Sequence, residues 1–549
     1  MTMKKIAFIF LAFFTSALAG TAQNAYHILS ECDTTVKAQL GGSFSLGSRE
    51  VKHIVYEYPS TDAYGQAATV SGVIMAPLDV INGTVPCDGV IMFNHATISK
   101  PEDAVSVGGK ALDGVSAILS NPLKPNYIIV ASDYIGYGSS INSDVSYICG
   151  DTNSRNSLDG LLAAQQLFED RQISQGKFLF NMGYSQGGTV TMFASKLTDT
   201  EEKYKGIRFD KSFSGGGPLD FEQIYTIYVE RDRCDDLADV VLMLISVNEN
   251  CQLGIPYDVM FQEPMASKAM EYFKTKRKSV VSEIGVSSMD SLSQVLTPEL
   301  MNPNSEPAKK LRAKLKEISL TNGWEPDVTK NYYIEHSRHD NYVPIQSVRG
   351  IIPWMTEKGF DPSIVPGKGS LQTCTVVFKL KHQESAVVWA IQSMAAIQFW
   401  PVLYYEGEQN RYYHDVVKDV NLMKVIKTLE GMGIDLQKLV NEGGLSKGRL
   451  PNNYNAFDLI PGIDETLAKV GLTTDDLEEM CDDSGITQAD IVMAYLYLKT
   501  GIDTSGESAK TSLEERIEAP LYLLRNYEMQ LANWFLLAGY DVNYSLWGM

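Results

Sequence analysis

Short apolar runs recur along the first 400 residues, each bounded by turn-forming residues. Continuous runs of this kind predict strands that are covered on both faces of a sheet. The predicted strands are residues 51–58, 67–75, 88–94, 126–132, 177–182, 332–335 and 375–380. Helical periodicity falls between them at residues 110–119, 158–170, 186–197, 345–358 and 384–399. The alternation predicts an α/β fold with a mostly parallel central sheet and helices on both faces.

Two long stretches interrupt this rhythm. Residues 218–330 show helical patterns and no strand candidate, with amphipathic segments at 266–276 and 309–318. They predict a helical cap inserted between two strands, which divides the core into residues 23–217 and 331–400. Residues 401–549 predict a helical C-terminal extension, including a helix start at 473–479, and nothing in that segment indicates its role.

The first 22 residues have the pattern of a secretory signal peptide. Lys4 and Lys5 precede an apolar run at residues 6–14, and Ala17 and Ala19 form a small-residue cleavage site. The apolar run is shorter than the ~20 residues that a membrane-spanning helix needs. We therefore expect a secreted or periplasmic protein with no membrane span.

Composition narrows the classes of function. The 549 residues are 44% hydrophobic, which is enough for a large core, and Lys+Arg 47 against Asp+Glu 67 gives a net charge of −20. Such an acidic chain has no electrostatic footprint for nucleic acid. Seven cysteines are an odd number with no C-x-x-C motif; Cys234 and Cys251 are close enough in sequence to pair, but spacing alone does not decide this. The sequence predicts no cofactor and no metal, and it does not fix the oligomeric state.

The strongest chemical signal is the segment Gly183-Tyr184-Ser185-Gln186-Gly187. This G-x-S-x-G pattern follows a predicted strand and precedes a predicted helix, the context in which it presents a nucleophilic serine. The turn is so tight that larger side chains on either side of the serine would clash. We expect Gly183 and Gly187 to remove these clashes. Ser185 is the candidate nucleophile.

A serine nucleophile needs a base, and the base needs a carboxylate. His382 follows the last predicted strand, while His414 in the tail is the competing candidate. Asp340 lies in the loop after strand 332–335, so the order is Ser185, Asp340, His382, as in hydrolases of this topology. His336 and His339 flank this loop but match no zinc-binding spacing.

Acyl transfer also needs donors for the developing oxyanion. The backbone N–H of Gln186, next to the nucleophile, is one candidate. Either Ala96 or Thr97, in the loop after strand 88–94, is expected to supply the second, and the sequence leaves both open. We expect His95 to shape this loop rather than to react.

Five segments carry a resemblance to a known family. They are residues 58–73, Asn94-His95-Ala96-Thr97, residues 132–139, the nucleophile turn, and Ser214-Gly215-Gly216-Gly217-Pro218. Together, over roughly residues 50–400, they resemble the α/β-hydrolase superfamily, most closely its secreted lipase and esterase branch. The resemblance implies an eight-stranded sheet, hydrolysis of small-molecule or lipid carboxylic esters, and a structural role for Asp133. The chain departs from this branch at Ala96, where glycine is common.

Two other functions remain as alternatives. A serine peptidase of the prolyl-oligopeptidase type shares the triad order, but such peptidases usually have an N-terminal propeller domain. Only about 30 residues separate the predicted signal peptide from the first predicted strand. A binding protein on an inactive hydrolase scaffold is disfavoured because Ser185, Asp340 and His382 are all present.

Overall fold

The computed structural model describes residues 25–40, 44–120, 125–289, 291–337, 340–360, 371–376, 381–403, 463–469 and 473. These residues form two compact units. The first comprises the described residues of Met1–Leu179, Leu242–Gly254 and Lys268–Glu283. The second comprises those of Phe180–Val241, Ile255–Ser267 and Ile284–Met549.

The first unit contains five neighbouring strands. They are β1 (His27–Leu40), β2 (Phe44–Thr61), β3 (Ala67–Pro77), β4 (Gly89–Asn94) and β5 (Tyr127–Ser132). Their spatial order is β1-β2-β3-β5-β4, in which β4 and β5 are parallel and the other neighbours are antiparallel. Every residue of β4 and β5 is buried, as expected for apolar strands covered on both faces.

The described residues of the second unit form four parallel strands. They are β6 (Phe178–Tyr184), whose first two residues belong to the first unit, β7 (Lys211–Gly215), β8 (Tyr332–Ser337) and β9 (Leu371–Val376). They lie in the order β6-β7-β8-β9, and each pairs in parallel with the next. Their carboxyl ends therefore meet at one edge, where the loops that carry chemistry in such sheets gather.

Helices lie between the strands, and two follow the last strand. They are α1 (Leu78–Ile81), α2 (Leu112–Leu119), α3 (Gly150–Asp170), α4 (Gln186–Thr200), α5 (Phe221–Arg231), α6 (Leu237–Asn250), α7 (Tyr257–Met260), α8 (Met265–Thr275), α9 (Lys278–Glu283), α10 (Pro298–Met301), α11 (Glu306–Glu317), α12 (Gln346–Arg349), α13 (Ile351–Glu357), α14 (His382–Leu403) and α15 (Ile463–Ala468). Short 3₁₀ helices are Pro101–Asp103, Val105–Val107, Gly138–Ser140, Glu202–Tyr204, Val286–Ser288 and Leu292–Gln294.

The predicted elements are largely present, with specific differences. The apolar pattern predicted seven strands and missed β1 and β7. The described residues contain nine strands, whereas the family resemblance implies eight. β1 is mostly solvent-exposed and lacks an apolar run, while β7 contains a single large apolar side chain, Phe213. β9 begins four residues before its predicted start, and residues 377–380 of the predicted strand lie outside the described residues.

The stretch 218–330 lies between β7 and β8 and contains α5 to α11. Among its described residues, the only β pairing is an isolated bridge between Phe261 and Leu296. Residues 242–254 and 268–283 belong to the first compact unit and the rest to the second, so the stretch is not a separate body. Its role as a cap stays a prediction.

Both chain ends fall largely outside the described residues. The predicted signal peptide at 1–22 lies there entirely, as does most of the predicted extension 401–549, including all of the helix start at 473–479 except Thr473. Within the part of the chain that the structure describes, no helix is long and apolar enough to cross a membrane.

Candidate active site

Ser185 lies at the sharp turn between β6 and α4. Its backbone has φ 58° and ψ −125°, a left-handed conformation that costs energy for a residue with a side chain. The turn is held from the neighbouring strand, since the Ser185 N–H donates to the Gly215 carbonyl at 2.8 Å. Ser185 is partly exposed, while the residues on both sides of it are buried.

Glycines let the end of β7 pack directly against the first turn of α4. A Cβ on Gly188 would lie 2.6 Å from the carbonyl oxygen of Gly215, a distance at which the backbone would have to move. A Cβ on Gly215 would lie 2.4 Å from the indole Cδ1 of Trp389 on α14. This close packing accounts for the Gly-rich segment at residues 214–218. The predicted steric role of Gly183 and Gly187 stays a prediction.

The three residues singled out as a triad lie within hydrogen-bonding distance of one another. Ser185 Oγ is 2.8 Å from His382 Nε2, and His382 Nδ1 is 2.6 Å from Asp340 Oδ2. All three belong to the second unit. The carboxyl ends of β6 and β8 and the start of α14 hold them, although 197 positions separate Ser185 from His382 in the sequence. Their roles in catalysis remain proposals.

The carboxylate of Asp340 has no solvent exposure and is held on both oxygens. Oδ1 accepts hydrogen bonds from the N–H groups of Tyr342 at 2.9 Å and Val343 at 2.8 Å, and Oδ2 accepts from His382. Burial acts to raise the pKa of Asp340, but these hydrogen bonds and the neighbouring histidines lower it below its ordinary value. The group is therefore ionised at neutral pH and fixes Nδ1 of His382 as a donor.

The backbone of His382 is also anchored. The Tyr184 hydroxyl donates to the His382 carbonyl at 2.6 Å and lies 2.5 Å from Ser385 Oγ, while Asn341 Oδ1 accepts from the His382 N–H at 3.1 Å. The rings of Tyr184 and Tyr342 each lie 5.2 Å from the imidazole, centroid to centroid. Sequence reasoning missed these residues. The only signal was an aromatic residue at the variable position before the serine.

His336 lies beside the triad, and its ring is hydrogen-bonded to the backbone. Its buried Nε2 is 2.8 Å from the Val343 carbonyl, and burial lowers the pKa of this histidine, so it is neutral and donates from Nε2. The nearest Asp340 oxygen is 3.6 Å away. Among the residues described here, no group of three or more His, Cys, Asp or Glu is arranged to hold a metal ion. The competing base His414, like His339, lies outside the described residues.

Glu335 is a second buried carboxyl group close to this edge. It ends the pairing of β8 with β7, is 1% exposed, and its Oε2 accepts a hydrogen bond from the Tyr333 hydroxyl at 2.8 Å. Burial raises the pKa of Glu335 to about 8, so the group is mostly protonated at neutral pH. The Tyr333 hydroxyl also contacts Gln392 of α14, which links β8 to the helix that carries His382. No sequence pattern singled out Glu335.

Gln186, the predicted first oxyanion donor, begins α4 and is buried. The first N–H groups of a helix have no intrahelical acceptor, which is the property expected of an oxyanion donor, and this role of the Gln186 N–H stays a prediction. The positive end of the α4 dipole also favours negative charge there.

Ala96 and Thr97, the candidates for the second donor, lie in the first unit after β4. The buried His95 ring donates from Nδ1 to the Ala96 carbonyl at 2.7 Å, and burial lowers the pKa of His95. Tyr134 donates to the His95 carbonyl at 3.0 Å, and Thr97 Oγ1 is 3.1 Å from the Tyr147 hydroxyl. The two residues help to line a cavity of about 200 Å³. These contacts fix the loop; its role as an oxyanion donor stays a prediction.

Asp133 joins three segments of the first unit, namely β3 and the 3₁₀ helices Val105–Val107 and Gly138–Ser140. Its fully buried carboxylate accepts from Ser71 Oγ at 2.6 Å and from the Ser106 N–H at 2.9 Å. Ser71 Oγ in turn accepts from the Ser139 N–H at 2.7 Å. The contacts are those of a structural residue, in keeping with the role that the family resemblance implies.

Comparisons with known proteins bear on the fold. No protein-family model matches the chain, and no curated protein sequence matches it significantly. A candidate hydrolase from Legionella pneumophila subsp. pneumophila is 16% identical with a TM-score of 0.57, covering 70% of this chain and 99% of its own. The rice cell wall degrading esterase LipA from Xanthomonas oryzae is 18% identical with a TM-score of 0.53, covering 68% and 97%. The similarity shows that this chain has the α/β-hydrolase fold, which confirms the predicted fold class.

Proposed function

We propose that this protein is a serine hydrolase that cleaves carboxylic esters, with Ser185 as nucleophile, His382 as base and Asp340 as the group that orients His382. The observation that carries the proposal is the pair of contacts of 2.8 Å and 2.6 Å that link the three side chains. The positive φ of Ser185 and the buried, ionised state of Asp340 support the same assignment.

In the proposed mechanism, His382 Nε2 removes the Ser185 proton as Oγ attacks the ester carbonyl carbon. The oxyanion accepts a hydrogen bond from the Gln186 N–H, while a second bond from the N–H of Ala96 or Thr97 stays a prediction from the sequence. His382 then donates the proton to the leaving alkoxide, and an acyl-serine remains. His382 activates a water molecule that attacks this acyl group, and the acid leaves as Ser185 regains its proton.

Ester hydrolysis is favoured over the alternative, a serine peptidase of the prolyl-oligopeptidase type. One of the similar structures is named as a cell wall degrading esterase, and its chain is covered almost completely by the match. We propose a small-molecule or lipid ester as substrate. We also propose export from the cytoplasm, on the basis of the signal-peptide pattern at residues 1–22.

The direct test is the turnover of short p-nitrophenyl esters by Ser185→Ala. We expect this variant to lose turnover while it keeps the unfolding transition of the wild type, because the hydroxyl is the attacking group. Ser282→Ala, at an exposed serine, is the matched control and should keep full activity. Wild-type turnover by Ser185→Ala would refute the nucleophile assignment.

A substrate panel then separates the two candidate functions. Esters of increasing acyl length, including aromatic acyl groups, and peptide amides are offered to the purified protein. We expect cleavage of esters and none of the amides. Efficient cleavage of a peptide amide would favour the peptidase instead.

A further inference from the structure

Cys149 and Cys251 lie side by side in the first unit although 102 positions separate them. Cys149 directly precedes α3, and Cys251 directly follows α6. The last turn of α6 docks on the segment before α3, where Asn250 Nδ2 donates to the Val145 carbonyl at 2.9 Å and lies 3.8 Å from Cys149 Sγ. These contacts fix the backbone on both sides of the cysteine pair.

The two side chains meet at their thiol groups. A hydrogen bond with the Cys251 thiol, followed by burial, raises the pKa of Cys149 well above its ordinary value. Both cysteines are half-buried and reduced in this structure. Two thiols within hydrogen-bonding reach are close enough to be candidates for a disulfide bond, for which the Cα atoms must lie within about 7 Å of one another.

We propose that Cys149 and Cys251 form a disulfide bond when the protein meets a disulfide oxidant. In the reaction with oxidised glutathione, one thiolate attacks the glutathione disulfide and releases one reduced glutathione. The second cysteine displaces the other glutathione from the mixed disulfide. Two S–H bonds and the glutathione S–S bond are broken, one protein S–S bond forms, and two electrons and two protons pass to glutathione.

This pairing differs from that of Cys234 with Cys251, which the spacing along the sequence suggests. Cys234 lies in the second unit, where burial raises the pKa of its thiol to about 12 and the Tyr228 side chain and the Asp236 backbone are its hydrogen-bonding partners. Cys251 instead has Cys149 as a neighbouring thiol.

The bond would lie within the first unit, to which residues 242–254 of the stretch 218–330 belong. It ties the end of α6 to the start of α3 and closes a loop of about 100 residues, a length for which cross-linking constrains the unfolded chain strongly. Disulfide formation also agrees with the predicted signal peptide, because disulfides persist outside the cytoplasm. The proposal does not depend on the proposed ester hydrolysis.

The test is peptide mapping of the purified full-length protein after incubation with oxidised glutathione. We expect a reducible cross-link between the peptides of Cys149 and Cys251. We also expect an unfolding temperature about 5 °C higher than in dithiothreitol. Cys149→Ser should abolish both the cross-link and the dithiothreitol effect, whereas the matched control Cys32→Ser, at an exposed cysteine of the same unit, should keep both.

Three outcomes would overturn the proposal. They are free thiols at both positions after oxidation, a stable glutathione adduct on either cysteine, and a cross-link from Cys251 to Cys234 or another cysteine. Because the mapping is performed on the wild type, it remains decisive even if Cys149→Ser fails to fold.

Discussion

The hydroxyl of Tyr184 is the group whose removal tests how the candidate base is held. Tyr184→Phe keeps the ring that packs against His382 and Trp389 and deletes only the oxygen. Burial raises the pKa of Tyr184, so the hydroxyl stays protonated and donates to the His382 carbonyl at 2.6 Å. In the 2.5 Å contact with Ser385, the serine hydroxyl is therefore the donor.

The size of the effect follows from these two hydrogen bonds. Each buried hydrogen bond contributes about 0.5–1.5 kcal/mol net. The Ser385 hydroxyl, 3.1 Å from the His382 carbonyl, can turn to that oxygen in the variant and offset part of the loss. We expect Tyr184→Phe to lose about 1–2 kcal/mol of stability. Because the lost hydrogen bond holds the backbone of His382, kcat should fall by roughly tenfold, the equivalent of 1.4 kcal/mol.

The assay measures kcat, KM and the free energy of unfolding for Tyr184→Phe and a matched control. The control is Tyr225→Phe, since the buried Tyr225 hydroxyl also donates to a carbonyl, that of Leu300 at 3.0 Å, in the same unit. Both variants should lose similar stability, but only Tyr184→Phe should lower kcat. Equal kcat values in the two variants would refute the reasoning that this hydroxyl positions His382.

Two further predictions concern packing and pH. Gly188→Ala should destabilise the protein by at least about 2 kcal/mol, because the added Cβ would lie 2.6 Å from a carbonyl oxygen. The control is Gly206→Ala, where no atom lies within 4 Å of the added Cβ. This control should unfold in denaturant like the wild type. Equal midpoints for the two variants would contradict the close-packing argument. The pKa of Glu335 is about 8 in the folded protein against 4.5 as its ordinary value, so its stabilising contribution is full below pH 4.5 and is lost as the pH rises through 8. At pH 9 the free energy of unfolding of Glu335→Gln should therefore exceed that of the wild type, by at most about 5 kcal/mol. Glu357→Gln, at an exposed glutamate, should show no such gain. If the stability of Glu335→Gln varied with pH as that of the wild type does, a buried neutral carboxyl group would be contradicted.

The apolar runs and the nucleophile turn could be read from the sequence because their signals are local. β4 and β5 are apolar throughout, and the pattern around Ser185 combines glycines with a strand-to-helix change. The side chains of Asp340 and His382 were found through the order expected of this topology. Their distances to Ser185 depend on three separate elements and could not be read from any one segment.

What the sequence did not predict depends on tertiary contacts. β7 has little apolar character of its own and is a strand because it pairs with β6 and β8. Glu335 is polar in sequence, yet burial keeps it protonated, and Tyr184 acts through a carbonyl group 198 positions away. The contact of Cys149 with Cys251 likewise depends on where α6 ends, which spacing along the chain does not indicate.

The central claim is that Ser185 is the residue that becomes acylated. A fluorophosphonate probe, which forms a stable bond with an activated serine, followed by mass spectrometry of the digested protein, tests it most directly. We expect a single adduct on the peptide that contains Ser185, absent from Ser185→Ala and formed far more slowly in His382→Ala. An adduct on another residue, or undiminished labelling of Ser185→Ala, would contradict it.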